Sequence, residues 1–250
     1  MDNFITYEYN LVIQSDLSTK NIIMLGRADD KLKRFELGIE AMNYIIKDIP
    51  DSKMIIISEK SGIETLYLLI KNLNLEKRIS FIGYTEMPEI HYKNVSLHIF
   101  PSISECFPMV LCETKIYGIP NILVGIDYVS MVNGGTIIIY DDSPKSIAKE
   151  AILILKNRDY RKKLGKEAKE SMKKYNNQLL LKKWIELILS IYNGDIYYKN
   201  LIKKDIKISD TKAIDIIKKQ LKLLKIRNKK FFNISFSNLL NFTFMEKINL

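Results

Sequence analysis

Cysteine is scarce in this chain, with two among 250 residues. That excludes a small secreted scaffold stapled by disulfides. Long apolar runs are missing as well: nothing approaches the roughly 20 residues that a bilayer-crossing helix needs. The opening MDNFITYEYN has neither the basic start nor the apolar stretch of a secretory leader. There is no Asp-x-Asp triplet of the kind that bridges a metal to a diphosphate, and neither His91 nor His98 has a partner at metal-ligand spacing. Cys106 and Cys112 are six apart, a spacing that suits packing better than redox chemistry. At 47% hydrophobic and 27% charged the chain is neither disordered nor fibrous. The expectation is a cytoplasmic protein with reduced thiols and no bound metal or other cofactor.

Charge of one sign is present in excess, but unevenly. The net charge is +10, yet residues 1–140 hold 13 basic against 17 acidic side chains. Residues 141–194 hold 13 against 7, and residues 195–250 hold 13 against 5. A nucleic-acid-binding platform would interleave aromatics with Lys and Arg, and the basic helices show no such interleaving. Nucleic acid is therefore excluded as a partner. The first 140 residues have to be read without the charge.

Those residues alternate short Ile/Val-rich runs with helix-period stretches. The runs are 21–25, 53–58, 78–82, 95–100, 121–125 and 136–140, each nearly continuous rather than alternating. Continuous runs suit strands covered on both faces. Between them, 34–48 puts Phe35, Gly38, Ile39, Met42 and Ile45/Ile46 on one helical face, and 62–74 does the same with Leu66, Leu69, Ile70 and Leu73. The alternation predicts an α/β fold: a doubly wound, Rossmann-like parallel sheet of about six strands. Helices are expected at 143–157, 159–175 and 177–193. Beyond them, Asp210 is a candidate N-cap for a basic amphipathic helix at 211–227.

In an open parallel sheet, ligands bind beyond the carboxyl ends of the strands. There stand Gly26-Arg27, Ser58-Glu59, Gly83-Tyr84, Pro101-Ser102 leading to Glu105, Gly125-Asp127 and Asp141-Asp142. Any one of these could be an ordinary turn; six converging loops rich in Gly, Arg and carboxylate are more than that. Pro108 is placed to open a helix that Gly118 ends, and the free N–H groups of such a helix start would hold an anion. Glu105 and Glu113, eight apart, carry no weight by spacing alone. With 15 Glu in the chain, about one such pair arises by chance.

In context they carry more. Glu105 and Glu113, with Phe107, Leu111, Gly118 and Pro120, resemble the E-x7-E segment of the retaining family 4 (group 1) glycosyltransferases. GRADDKLKRFELGIEAM resembles that family's Gly-Arg…Lys phosphate-binding stretch, and RISFIGY its loop beside the nucleobase. The resemblance runs from about residue 20 to 193, with the segments in the same order and spacing. It implies the C-terminal, donor-binding half of a GT-B fold and a metal-independent transfer of sugar from a nucleoside-diphosphate sugar, with retention, in glycan or glycolipid synthesis. By the same resemblance Gly26, Arg27 and Lys33 would meet the diphosphate, with Lys31 close enough to compete. Gly83 would lie by the base, Glu105 by the sugar, the N–H groups of Met109 and Val110 by the phosphates, and Glu113 by the ribose hydroxyls, with Phe107 also among the donor-binding residues. Arg27, Lys33 and Glu105 would carry the chemistry. The family often has Gly where Cys106 and Pro108 stand, and Pro lacks an N–H. Ser58-Glu59 also replaces a common glycine-rich turn.

The resemblance implies further partners. A GT-B enzyme closes its cleft with an N-terminal acceptor domain, which is expected to be missing here. The expected division is residues 1–20 as a connector remnant, 21–193 as the donor domain and 194–250 as a basic helical tail. A separate polypeptide would then supply the N-terminal half, and a glycan or lipid-linked compound the acceptor. A non-catalytic nucleotide-sugar-binding module is the alternative. The basic tail would rest on an anionic membrane surface at the inner face, or simply be a solvated lysine-rich face.

Overall fold

A computed structural model describes residue 9 and residues 12–59, 61–126, 132–175 and 177–192. The chain divides into two units, Met1–Leu180 and Leu181–Leu250. The first holds six parallel strands: β1 (Asn21–Leu25), β2 (Lys53–Ile57), β3 (Ile79–Ile82), β4 (Leu97–Phe100), β5 (Asn121–Val124) and β6 (Thr136–Ile139). Each begins or ends within two residues of the corresponding apolar run. Interleaved are α1 (Phe35–Asp48), α2 (Glu64–Asn72), α3 (Glu89–Tyr92) and α4 (Met109–Ile116), followed by α5 (Pro144–Lys156), α6 (Arg158–Ser171) and α7 (Asn177–Tyr192). The four-residue α3 has no counterpart in the periodicity, being too short to show one. The expected helix at 211–227 and Asp127 lie outside the described residues.

The strand order is β3-β2-β1-β4-β5-β6. It is the Rossmann-like arrangement, built from two halves that diverge between β1 and β4. Ile22 and Ile23 of β1 pair with Leu97 and His98 of β4, while Leu25 pairs with Ile57 on the other side. All six strands therefore end on one rim, with a crevice where the crossover direction reverses.

Alternation along the strands explains both cores. Ile22, Met24, Met54, Ile56, Leu97 and Ile99 face one side, under Ile39, Met42 and Ile45 of α1 and Ile147, Ala151 and Ile154 of α5. Ile23, Leu25 and Ile57 face the other, with Tyr92, Tyr117 and Ile119. Phe100 and Leu123 pack there against Leu111, Cys112 and Ile116 of α4 and against Met172 and Tyr175. Each fully buried Ile or Leu contributes roughly 1.5–3 kcal/mol. Gly38 lets α1 sit close on β1, since a Cβ there would lie 2.3 Å from the Met24 sulfur.

Residues 12–20 lie along this body. Ser15 donates its amide to the Tyr117 carbonyl at 2.9 Å and its hydroxyl to the Val95 carbonyl at 2.6 Å. The buried Arg161 guanidinium donates to the Leu17 carbonyl at 2.9 Å and to the last carbonyls of α5, Ile154 and Leu155, at 3.1 and 2.6 Å. One buried cation thus caps a helix and fastens the strap.

Candidate functional site

The crevice between β1 and β4 is built from two loops. After β1, Gly26 takes a φ of +150°, which only glycine adopts readily. Asp30 then caps a short 3-10 turn, Lys31–Lys33, by accepting from the Leu32 amide at 3.0 Å. Arg34 follows in the left-handed region, φ +45° and ψ +48°, at a cost of about 1–2 kcal/mol for an L-residue. After β4, Pro101 and Ser102 lead to Glu105. The loops are joined by the Ile103 amide, which donates to the Leu32 carbonyl at 2.8 Å.

Lys33 and Glu105 meet across this crevice as an ion pair, with side chains 20% and 12% exposed. The Ser102 hydroxyl donates to the same carboxylate oxygen at 2.8 Å, and the Lys33 ammonium lies 6.0 Å from the Phe100 ring centroid. Of the two lysines left open by spacing, Lys33 is the one held here; Lys31 is exposed. Arg27 stands apart from this pair. It is 67% exposed and bonds Asp30 at 3.1 Å, an exposed cation at the lip.

Two further side chains hold the rim. The Ser58 hydroxyl accepts from the Ala28 amide at 2.9 Å, and Gly62 abuts Asp29 so closely that a Cβ would lie 2.7 Å from its Cα. Ser58 therefore organises the Arg27 loop from the neighbouring strand end, a role that sequence reasoning did not assign. Arg34 donates to the Pro101 carbonyl at 2.7 Å, to the Val124 carbonyl at 3.4 Å, and to Asp142. In the sequence Ser58 shows only as a rim position and Arg34 shows no role, because both act on atoms distant along the chain.

Helix α4 starts at Met109. Pro108 is its N-cap, with extended backbone (ψ +92°), rather than its first helical residue as expected, and its side chain makes no cap bond. The first amides of any helix lack intrahelical acceptors. Those of Met109 and Val110 start a turn that contains no acidic residue, a setting that favours an anion. Gly118, φ +70°, ends the helix as expected. Phe107 packs edge-on against Tyr175, ring centroids 6.2 Å apart, which anchors the loop between Glu105 and α4. Gly83 has open space around it. Cys112 is buried, whereas Cys106 is exposed on the Glu105 loop, contrary to the expectation of packing for both.

Glu113 sits apart from Lys33 and Glu105 in this network. The Tyr92 hydroxyl donates to its Oε2 at 3.0 Å, and Tyr92 stacks edge-on against Tyr117, centroids 5.0 Å apart. Burial, with Glu89 adding to it, pushes the Glu113 carboxyl up to about 7, against the pull of the Tyr92 bond. His98 lies buried in the core. Its Nδ1 bonds the Asn121 side-chain oxygen at 2.6 Å, and burial pushes it down to about 4.

Comparison with known proteins gives this geometry a context. An N-acetyl-alpha-D-glucosaminyl L-malate synthase of Bacillus anthracis is 26% identical over 145 residues, which are 57% of this chain and 38% of that one. A solved structure of S. aureus TarM, a point variant in complex with fondaparinux, alpha-GlcNAc-glycerol and UDP, superposes with a TM-score of 0.66. It is 23% identical and the match covers 74% of this chain and 38% of that one. The C-terminal domain of a glycosyl transferase group 1 family protein (LpcC) from Francisella tularensis gives a TM-score of 0.54 at 19% identity, over 66% of this chain and 96% of that domain. The chain thus spans well under half the length of the first two. The family model for glycosyl transferases group 1 matches residues 12–171, more than half of the chain. The chain belongs to the group 1 glycosyltransferase family.

Proposed function

We propose that residues 21–193 bind the donor of a retaining, metal-independent glycosyltransferase, holding a nucleoside-diphosphate sugar in the crevice between β1 and β4. The observation that carries this reading is the Lys33–Ser102–Glu105 cluster at the point where the sheet's crossovers reverse. Breaking a sugar–phosphate bond builds negative charge on the departing diphosphate. Lys33, with three donors on one ammonium, can keep Glu105 and still reach a phosphate oxygen. Arg27 adds a second cation at the lip, and the first amides of α4 add fixed dipoles that need no reorganisation as charge develops. Glu105 accepts hydrogen bonds from the sugar hydroxyls, and Glu113 from the ribose.

The absence of an Asp-x-Asp triplet from the sequence supports transfer without a metal. That the match covers nearly all of an isolated C-terminal domain supports reading the chain as a donor half. The acceptor, a glycan or a lipid-linked compound, would then be presented by a second N-terminal-type domain, on a separate polypeptide if this chain lacks one.

A thermal-shift screen against UDP-, GDP- and ADP-sugars tests the donor site. A true donor at 100 times its Kd should stabilise the fold by about 2.7 kcal/mol. Glu113→Ala should remove most of that shift. Uracil nucleotides come first, because the TarM structure holds UDP. A flat response to all three classes would refute the reading. Robust transfer by the purified chain alone would refute the need for a second polypeptide.

A further inference from the structure

We propose that Arg34 is the positioning residue of this site: a clasp that ties the end of the β1 loop to β4, β5 and the β6 loop and so sets the reach between Lys33 and Glu105. The inference rests on the donor-site reading above. The guanidinium is 11% exposed. Its Nε donates to Pro101, the first residue beyond β4, at 2.7 Å, and its Nη2 to Val124, the last residue of β5, at 3.4 Å. Nη1 pairs with Asp142 beyond β6, whose side chain is 72% exposed, so solvent screens this bond.

The neighbouring contacts make this a bracket. Leu32 accepts from the Ile103 amide, Arg34 donates to Pro101, and Lys33 between them reaches Glu105. Leu32–Arg34 therefore lies against Pro101–Ile103 with a bond on either side of the reacting lysine. The left-handed backbone at Arg34 makes the turn from the 3-10 segment into α1, aiming successive side chains at different strand ends. Strained conformations of this kind persist where surrounding contacts over-determine them, and the planar fork of arginine can serve several carbonyls at once where a lysine serves as a point charge. Its donors are directed at the rim itself, two carbonyls and the Asp142 carboxylate, so its effect on a ligand passes through Lys33 and Glu105.

Arg34→Gly is the informative variant, because glycine adopts a φ of +45° without strain and the fold should survive. Hydrogen exchange over residues 101–105 should rise at least tenfold in this variant. The probes for binding are UDP, GDP and ADP beside UDP-glucose, UDP-N-acetylglucosamine, GDP-mannose and ADP-glucose. The wild-type preference for a sugar-bearing form over the bare nucleotide should fall at least tenfold. Affinity for the bare nucleotide should fall as well, through Lys33, but by a smaller factor than affinity for the sugar-bearing form. Methylguanidinium should restore the preference in Arg34→Gly, and Arg34→Lys should not. Unchanged exchange over 101–105, or an unchanged preference for the sugar-bearing form, overturns the proposal. A merely structural role would lower the melting temperature and weaken all probes alike, which also overturns it. A wild-type chain that binds none of the probes overturns the donor-site reading, while the exchange measurement still decides whether Arg34 clasps the rim.

Discussion

Glu113 and His98 pull the pH dependence of stability in opposite directions. The Glu113 carboxyl moves from 4.5 to about 7 on folding, so the folded state holds its proton more tightly. Its stabilising contribution is full below pH 4.5 and is lost as pH rises through 7. His98 moves from 6.5 to about 4, so its contribution is full above pH 6.5 and is lost as pH falls through 4. Each is worth on the order of 3 kcal/mol at most, at 1.36 kcal/mol per pKa unit. Between pH 4.5 and 6.5 the two slopes offset each other. Glu113→Gln, whose amide oxygen still accepts from Tyr92, should leave the His98 slope alone. Urea unfolding across this range should show the variant gaining stability with rising pH while the wild type stays flatter. Parallel profiles would refute the assignment. Tyr92, Glu89 and Tyr117 are the titratable groups around Glu113. If its carboxylate takes the ribose hydroxyls, nucleotide affinity should also strengthen as pH rises through 7, and the variant should lack that part of the rise.

Among the elements, the strands were the most legible. Parallel strands buried on both faces are largely apolar, so NILV and LHIF, all eight residues buried, show themselves as nearly continuous runs, with Asn121 and His98 pairing with each other. Helices α1 and α5 were legible through their apolar stripes. The partnerships of the rim were not, because they pair Arg34 with Pro101, Ser58 with Ala28 and Tyr92 with Glu113. No local pattern encodes contacts between residues that distant. Likewise Lys33 and Glu105 were legible as positions and not as a pair. The docking of α6 is another such contact: a Cβ on Gly165 would sit 2.4 Å from the Gly118 carbonyl oxygen and 2.8 Å from Leu17. Since the first obstacle is backbone, Gly165→Ala should cost about 1–3 kcal/mol as an overpacking change, despite the better helix propensity of alanine. A thermal melt equal to or above wild type would show that α6 can shift to accommodate it.

For the whole molecule, the net charge of +10 separates into an acidic portion and a basic one. Residues 1–140, which supply every described strand, are net negative, so under the proposed function a diphosphate would have to meet cations placed locally, Arg27 and Lys33. Residues 195–250 lie outside the described residues, and no described helix is long and apolar enough to cross a membrane. Their 13 basic against 5 acidic side chains lead to an electrostatic prediction. The full chain should co-sediment with phosphatidylglycerol vesicles and not with phosphatidylcholine vesicles, and deleting 195–250 should abolish it. Binding that survives about 1 M salt, where the Debye length is about 3 Å, would refute attachment by charge. The two thiols have a practical consequence. Cys112 is sealed in the core and Cys106 is open to solvent one residue from Glu105. A maleimide dye added to the native protein should therefore label a single position at the mouth of the crevice. The unaltered sequence carries its own attachment point for a fluorescent probe of whether a nucleotide sugar enters the crevice.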